Sequence, residues 1–135
     1  MSGIAVNNST RASLNKFSIV VSDTAATAAE LNAVQALTSV AVDASNVTAI
    51  EASSSSDITT LYTGTVPTGI GSATISVNDT TAAASTLNTI DGYSTGLVTS
   101  TATTITGTAA DLHTMVDAAG IAHAADVAMT VTGST

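Results

Sequence analysis

The chain has 135 residues, with 2 Lys/Arg, 10 Asp/Glu and a formal net charge of −8. Such an acidic surface repels nucleic acid and anionic membranes, because phosphate binding needs Lys and Arg. Cysteine is absent, which excludes disulfide frameworks and thiolate metal sites.

Charged residues make up 9% of the chain and aromatics 2%, while hydrophobic residues reach 44%. This composition opposes disorder. It also supplies few large side chains, so the predicted core is thin and lies between closely spaced elements. No segment approaches a transmembrane span, and Met1–Phe17 has no apolar run of the kind a signal peptide carries.

Both basic residues, Arg11 and Lys16, lie in the opening segment, and Phe17 follows them. Residues 1–16 are therefore predicted to be a docking arm, with Arg11, Lys16 and Phe17 contacting a partner. Residues 17–135 are predicted to form a single repeat domain.

Internal self-similarity organises that domain. The stretch VSDTAATAAELNAVQALTS from Val21 aligns with VNDTTAAASTLNTIDGYST from Val77. In the same way AIEASSSSDITTLY from Ala49 aligns with TITGTAADLHTMV from Thr104. The units run over about 17–72 and 73–127, with a closing strand at 128–133, and each unit splits into halves.

In chain order, strands are expected at Ile19/Val21, Thr48/Ile50, Ile75/Val77, Thr103/Ile105 and Met129/Val131. They recur about every 27 residues and alternate with small polar residues. Short helices are expected between them. Their inward residues are the i, i+3 pairs Leu31/Val34, Ile58/Leu61, Leu87/Ile90 and Leu112/Met115. Thr27 with Glu30, Ser54 with Asp57, and Thr108 with Asp111 read as capping boxes at three helix starts. The fourth start holds Ala83 and Thr86, a weaker cap.

The fold class this implies is an α/β repeat, a β-solenoid-like stack of strand–short-helix coils. Each coil has about 27 residues, two coils make a unit of about 55, and like strands form a parallel sheet. A compact α/β sandwich is the alternative.

The stretch TITGTAADLHTMVDAAG places hydroxyls, Asp111, His113 and Asp117 close together, as a catalytic group would. The repeat explains most of them as cap and core. His113 follows core Leu112 and is expected to face solvent, and His123 falls in a turn. No HxxxH or HExxH spacing is present, so no catalytic, cofactor or metal residue is expected. Asp23 and Asp79 follow equivalent strands and are read as turn formers. Calcium between coils is conceivable from their carboxylates, yet the Gly- and Asp-rich nonapeptide pattern is missing.

The paired units quoted above resemble the Ala/Thr/Asp-rich repeats of large surface proteins of marine cyanobacteria and of structural proteins of their phages. The resemblance covers about Phe17 to Thr135. It implies a non-enzymatic structural protein on a virion surface or appendage, such as a capsid decoration, knob, horn or tail-fibre component. Other virion proteins and further copies of the chain are the implied partners, with no nucleic acid and no membrane. The alternative is an adhesion repeat module, secreted or on a bacterial cell surface.

Overall fold

The structure, a computed structural model, describes residues 15–133. Eight short strands and four helices follow one another along it. They are β1 (Ala25–Thr27), α1 (Ala28–Gln35), β2 (Ala49–Ser53), α2 (Ser55–Tyr62), β3 (Thr74–Val77) and β4 (Thr81–Ala83). Then follow α3 (Ala84–Asp91), β5 (Val98–Ser100), β6 (Thr104–Gly107), α4 (Ala109–Asp117), β7 (Ile121–Ala122) and β8 (Ala128–Val131). The fold is α/β, with parallel sheets and short helices, and accords with the sandwich alternative.

Two sheets form. One runs β1-β2-β3-β5-β7 and the other β4-β6-β8. Every strand pairing is parallel. In the larger sheet Ala26 pairs with Ile50, Ile50 with Ile75, Ile75 with Val98 and Val98 with Ile121. The steps between these partners are 24, 25, 23 and 23 residues. All five side chains are buried and form one apolar column. Burying each Ile or Val of this kind contributes about 1.5–3 kcal/mol.

The expected single ladder with a step of about 27 is corrected here. Ile75/Val77 belong to the larger sheet, whereas Ile105 pairs with Ala82 and Met129 in the smaller one. At the first position the strand is Ala25–Thr27; Val20 makes only an isolated bridge to Asp43, which bridges Thr68 in turn. Val98 and Ile121, which fall outside the five expected strands, are strand residues. The physical reason is the composition. Ala, Thr and Ser satisfy strand and helix patterns alike, so the short strands carry no strong period-2 signal.

The helices put their i, i+3 residues inward. Leu31, Ile58, Leu61, Leu87, Ile90, Leu112 and Met115 are buried, while Val34 is half-buried. They join one core cluster with the strand column. Among the buried polar residues, Ser94 and Thr38 have partners, as buried polar groups usually do. Ser94 Oγ donates to the Ala73 carbonyl at 2.6 Å and accepts the Gly96 N–H at 3.0 Å. Thr38 Oγ1 donates to the Phe17 carbonyl at 2.8 Å, which ties the opening segment to the body.

Two glycines permit close approach between successive turns of chain. A Cβ on Gly69 would collide with the Ser45 backbone, and φ there is +91°. A Cβ on Gly96 would collide with the Ala73 carbonyl. Both contacts span one step of the strand ladder.

Candidate assembly surface

Helix starts are built from local hydroxyls. Thr27 Oγ1 accepts the Glu30 N–H at 3.2 Å, Ser54 Oγ accepts that of Asp57 at 3.1 Å, and Thr108 Oγ1 that of Asp111 at 3.1 Å. The reciprocal bond of a capping box forms at Thr27 alone among the described helices. There Thr27 N–H and Oγ1 donate to Glu30 Oε2 at 2.9 and 3.0 Å, and the backbone bond first, then the hydroxyl, hold the Glu30 carboxyl below its usual value. Asp57 and Asp111 do not make that return bond; an aspartate side chain is one methylene shorter. Ala83 gives α3 no side-chain cap.

A second set of bonds reaches across one ladder step and is invisible to local spacing. Ser53 Oγ on β2 accepts the Ala28 N–H at the start of α1, at 2.9 Å. The Asp79 carboxylate, after β3, accepts the Ser55 N–H at the start of α2, at 3.2 and 3.3 Å. These acceptors satisfy helix amides that lack a partner within the helix, and negative charge suits that end of the helix dipole. Asp79 thus caps the neighbouring helix as well as following a strand.

Asparagines do the corresponding work between helices. Asn32 Nδ2 on α1 donates to the Asp57 carbonyl on α2 at 3.0 Å. Asn88 Nδ2 on α3 donates to the Asp111 carbonyl on α4 at 3.1 Å. Each Asn follows the core leucine of its helix, and each acceptor is the third residue of the next helix. These bonds tie α1 to α2 and α3 to α4. Thr59 holds the same place on α2 and makes no such bond to α3 among those described.

The residues with chemical potential do not converge. The His113 side chain is 77% exposed and its Nε2 lies 3.4 Å from Asp117 Oδ2, one helical turn on. His123 Nδ1 lies 2.9 Å from the Ala124 carbonyl oxygen. Asp43, held low by hydrogen bonds from the Ser45 side chain and backbone, sits in the Val20–Thr68 bridge region. Among the described residues no three His, Cys, Asp or Glu side chains come together in a metal-holding group. A polar depression between α1 and α2 is lined by Asn32, Gln35, Thr38, Thr60 and Thr63. The aromatic pair Tyr62–Tyr93 stacks with centroids 5.3 Å apart, and the Tyr62 hydroxyl donates to the Ile70 carbonyl at 2.9 Å.

Most exposed large apolar side chains lie near the first and last described elements, Leu97 excepted. Phe17, Val20, Leu37 and Val40 lie in the segments preceding β1 or following α1. Val116 lies on α4, and Met129 and Val131 lie on β8, the edge strand of the smaller sheet. Lys16 is exposed beside Phe17. Arg11, the other expected docking residue, and most of the expected arm lie outside the described residues. No helix of the described residues is long and apolar enough to cross a membrane. No protein-family model, curated protein or solved structure matches the chain.

Proposed function

We propose that this chain is a non-enzymatic structural protein of a virion surface or appendage. In this reading it is a stack of strand–helix coils that docks through residues 1–16 and assembles through its ends. The observation that carries the reading is the use made of the polar side chains. Asn32, Ser53, Asp79 and Asn88 each bond to backbone one ladder step away, so they hold one turn of chain to the next.

Three further features support it. Parallel pairing at steps of 23 to 25 residues is what stacked coils produce. The positive charge, Arg11 and Lys16, is confined to the opening segment, while the remainder is acidic. Apolar side chains exposed near the first and last described elements, including Met129 and Val131 on the edge strand β8, invite pairing with another chain. The resemblance to surface and phage repeats adds the particle.

The test is removal of residues 1–16. The shortened chain is expected to keep its circular dichroism spectrum and to lose attachment to the parent particle. Full attachment by the shortened chain overturns the reading.

A further inference from the structure

We propose that β8 is a dimerisation edge, through which two copies of the chain pair antiparallel about a twofold axis at Thr130. The inference rests on the assembly reading and names the strand, the register and the partner, a second copy of this chain.

The larger sheet has β1 and β7 as its edge strands, and the smaller one has β4 and β8. β7 has two residues, β1 and β4 three each, and all three strands are partly buried. β8 has four residues, and every one is exposed. Folded chains blunt such an edge with a charge, a proline or a bulge. β8 reads Ala-Met-Thr-Val and keeps an unbroken register with β6, so it has none of these. The Ala128 and Thr132 N–H groups donate inward, to the Thr103 and Gly107 carbonyls at 3.0 and 2.8 Å. Strand alternation then aims the backbone groups of Met129 and Val131 away from β6. An antiparallel copy centred on Thr130 sets Met129 opposite Val131 of the second copy, and each such pair exchanges both backbone bonds.

Side chains and charge select a second copy of this chain as the occupant. Ala82, Ile105 and Met129 lie side by side in one register row of the smaller sheet. Exposure along that row is 3% at Ala82, 0% at Ile105 and 39% at Met129, so the apolar row is left open at β8. A twofold axis normal to the sheet keeps both copies the same way up. Val131 of the second copy, 56% exposed in the single chain, then stands on the same face as Met129 and covers it. The reciprocal contact covers the first copy's Val131, so one patch satisfies itself, as an isologous interface requires. A chain of net charge −8 repels its own copies unless they meet across an uncharged surface. Residues 127–135 carry no charged side chain, and Asp126 is the nearest acid before β8. Antiparallel pairing holds the two Asp126 carboxylates more than about 20 Å apart, beyond the screening length of about 8 Å. Parallel pairing in register would set them side by side.

One short strand per copy is less surface than a permanent dimer buries, so the full chain should sediment as a weak dimer, in about the micromolar to sub-millimolar range. The chain has no cysteine, so disulfide trapping reads the register directly. Thr130→Cys places two thiols across the axis in a non-hydrogen-bonded pair, with Cα atoms about 4.5 Å apart, within disulfide reach. It should form a covalent dimer in oxidised glutathione. Ala128→Cys, whose two thiols would stand about 14 Å apart along the paired strands, should cross-link at least about tenfold more slowly, since that exceeds disulfide reach. Val131→Pro removes one outward N–H and leaves the inward ladder. Its dimer should dissociate about tenfold or more readily, with an unchanged circular dichroism spectrum. Val131→Asp repeats the measurement should the proline variant fail to fold. A wild-type chain that stays monomeric at millimolar concentration, equal trapping of the two cysteine variants, or undiminished association of the folded Val131 variant would each overturn the contact. A monomeric chain that still attaches to its particle would overturn this contact alone and leave docking through residues 1–16 standing.

Discussion

The Asp79 carboxylate accepts the backbone N–H of Ser55, 24 residues earlier in the chain, at 3.2 and 3.3 Å. A side chain that follows one strand thereby starts the helix belonging to the previous one. Such bonds between residues far apart in the chain hold the fold together alongside the local ones.

Replacing Asp79 with Ala should cost about 0.5–2 kcal/mol, the usual effect of losing a helix N-cap acceptor. Asp79→Asn keeps an acceptor oxygen and should recover most of it. Urea unfolding monitored by circular dichroism reads both. If the Ala variant is as stable as the parent, the bond contributes nothing to the fold.

The two asparagines should not behave alike. Each donates one bond to a helix carbonyl, but Asn88 Oδ1 is buried with no hydrogen-bond partner. Removing Asn32 loses a bond worth about 1 kcal/mol. Removing Asn88 loses a similar bond and also relieves an unpaired acceptor, so Asn88→Ala should cost less than Asn32→Ala. Denaturant midpoints of the two variants decide it, and equal or reversed costs contradict the assignment.

Glycine replacements separate close approach from open surface. Gly96→Ala forces a methyl into the Ala73 carbonyl, and Gly69→Ala meets the Ser45 backbone at a positive φ. Each should lower stability by more than about 1 kcal/mol. Gly71 has nothing within 4 Å of an added Cβ and no positive φ, so Gly71→Ala should be neutral or stabilising by up to about 1 kcal/mol. Thermal unfolding of the three variants gives the ranking.

Tyr62 supplies a pH-dependent prediction. Burial pushes its hydroxyl up to about 12, from an ordinary value of 10.0. The folded state therefore favours the neutral phenol. The contribution is fully present below pH 10 and is lost as pH rises from about 10 to 12. Alkaline unfolding of the parent should steepen across that window. Tyr62→Phe, which also loses the bond to the Ile70 carbonyl, should start less stable by about 1 kcal/mol at neutral pH and lose that added slope. An unchanged slope in the variant would count against burial of the phenol.

The sequence and the structure diverge at identifiable residues. Helix starts and inward faces were legible because capping and the i, i+3 rule are local. Leu87 and Ile90, or Thr108 and Asp111, need only their own neighbours. The strands were less so. Ala25–Thr27 reads as Ala-Ala-Thr, which suits the start of a helix as well as a strand, and only its pairing with Ala49–Glu51 makes it β. The ladder step of 23 to 25 rather than 27 was hidden because helix positions drift along the chain relative to strand positions. Leu31 lies five residues beyond Ala26, whereas Leu112 lies fourteen beyond Val98. Ser53 and Asp79 were missed as caps because their partners are 25 and 24 residues away. The spacing of Asn32 and Asn88 was the available signal for the helix pairing, and it was visible as a repeat without its meaning.

The structural-protein account is tested most directly by electron microscopy of the parent particle with an antibody against this chain. The account predicts label at regularly spaced surface projections, lost when residues 1–16 are deleted. A particle without label, together with purified chain that remains a uniform monomer, would contradict it.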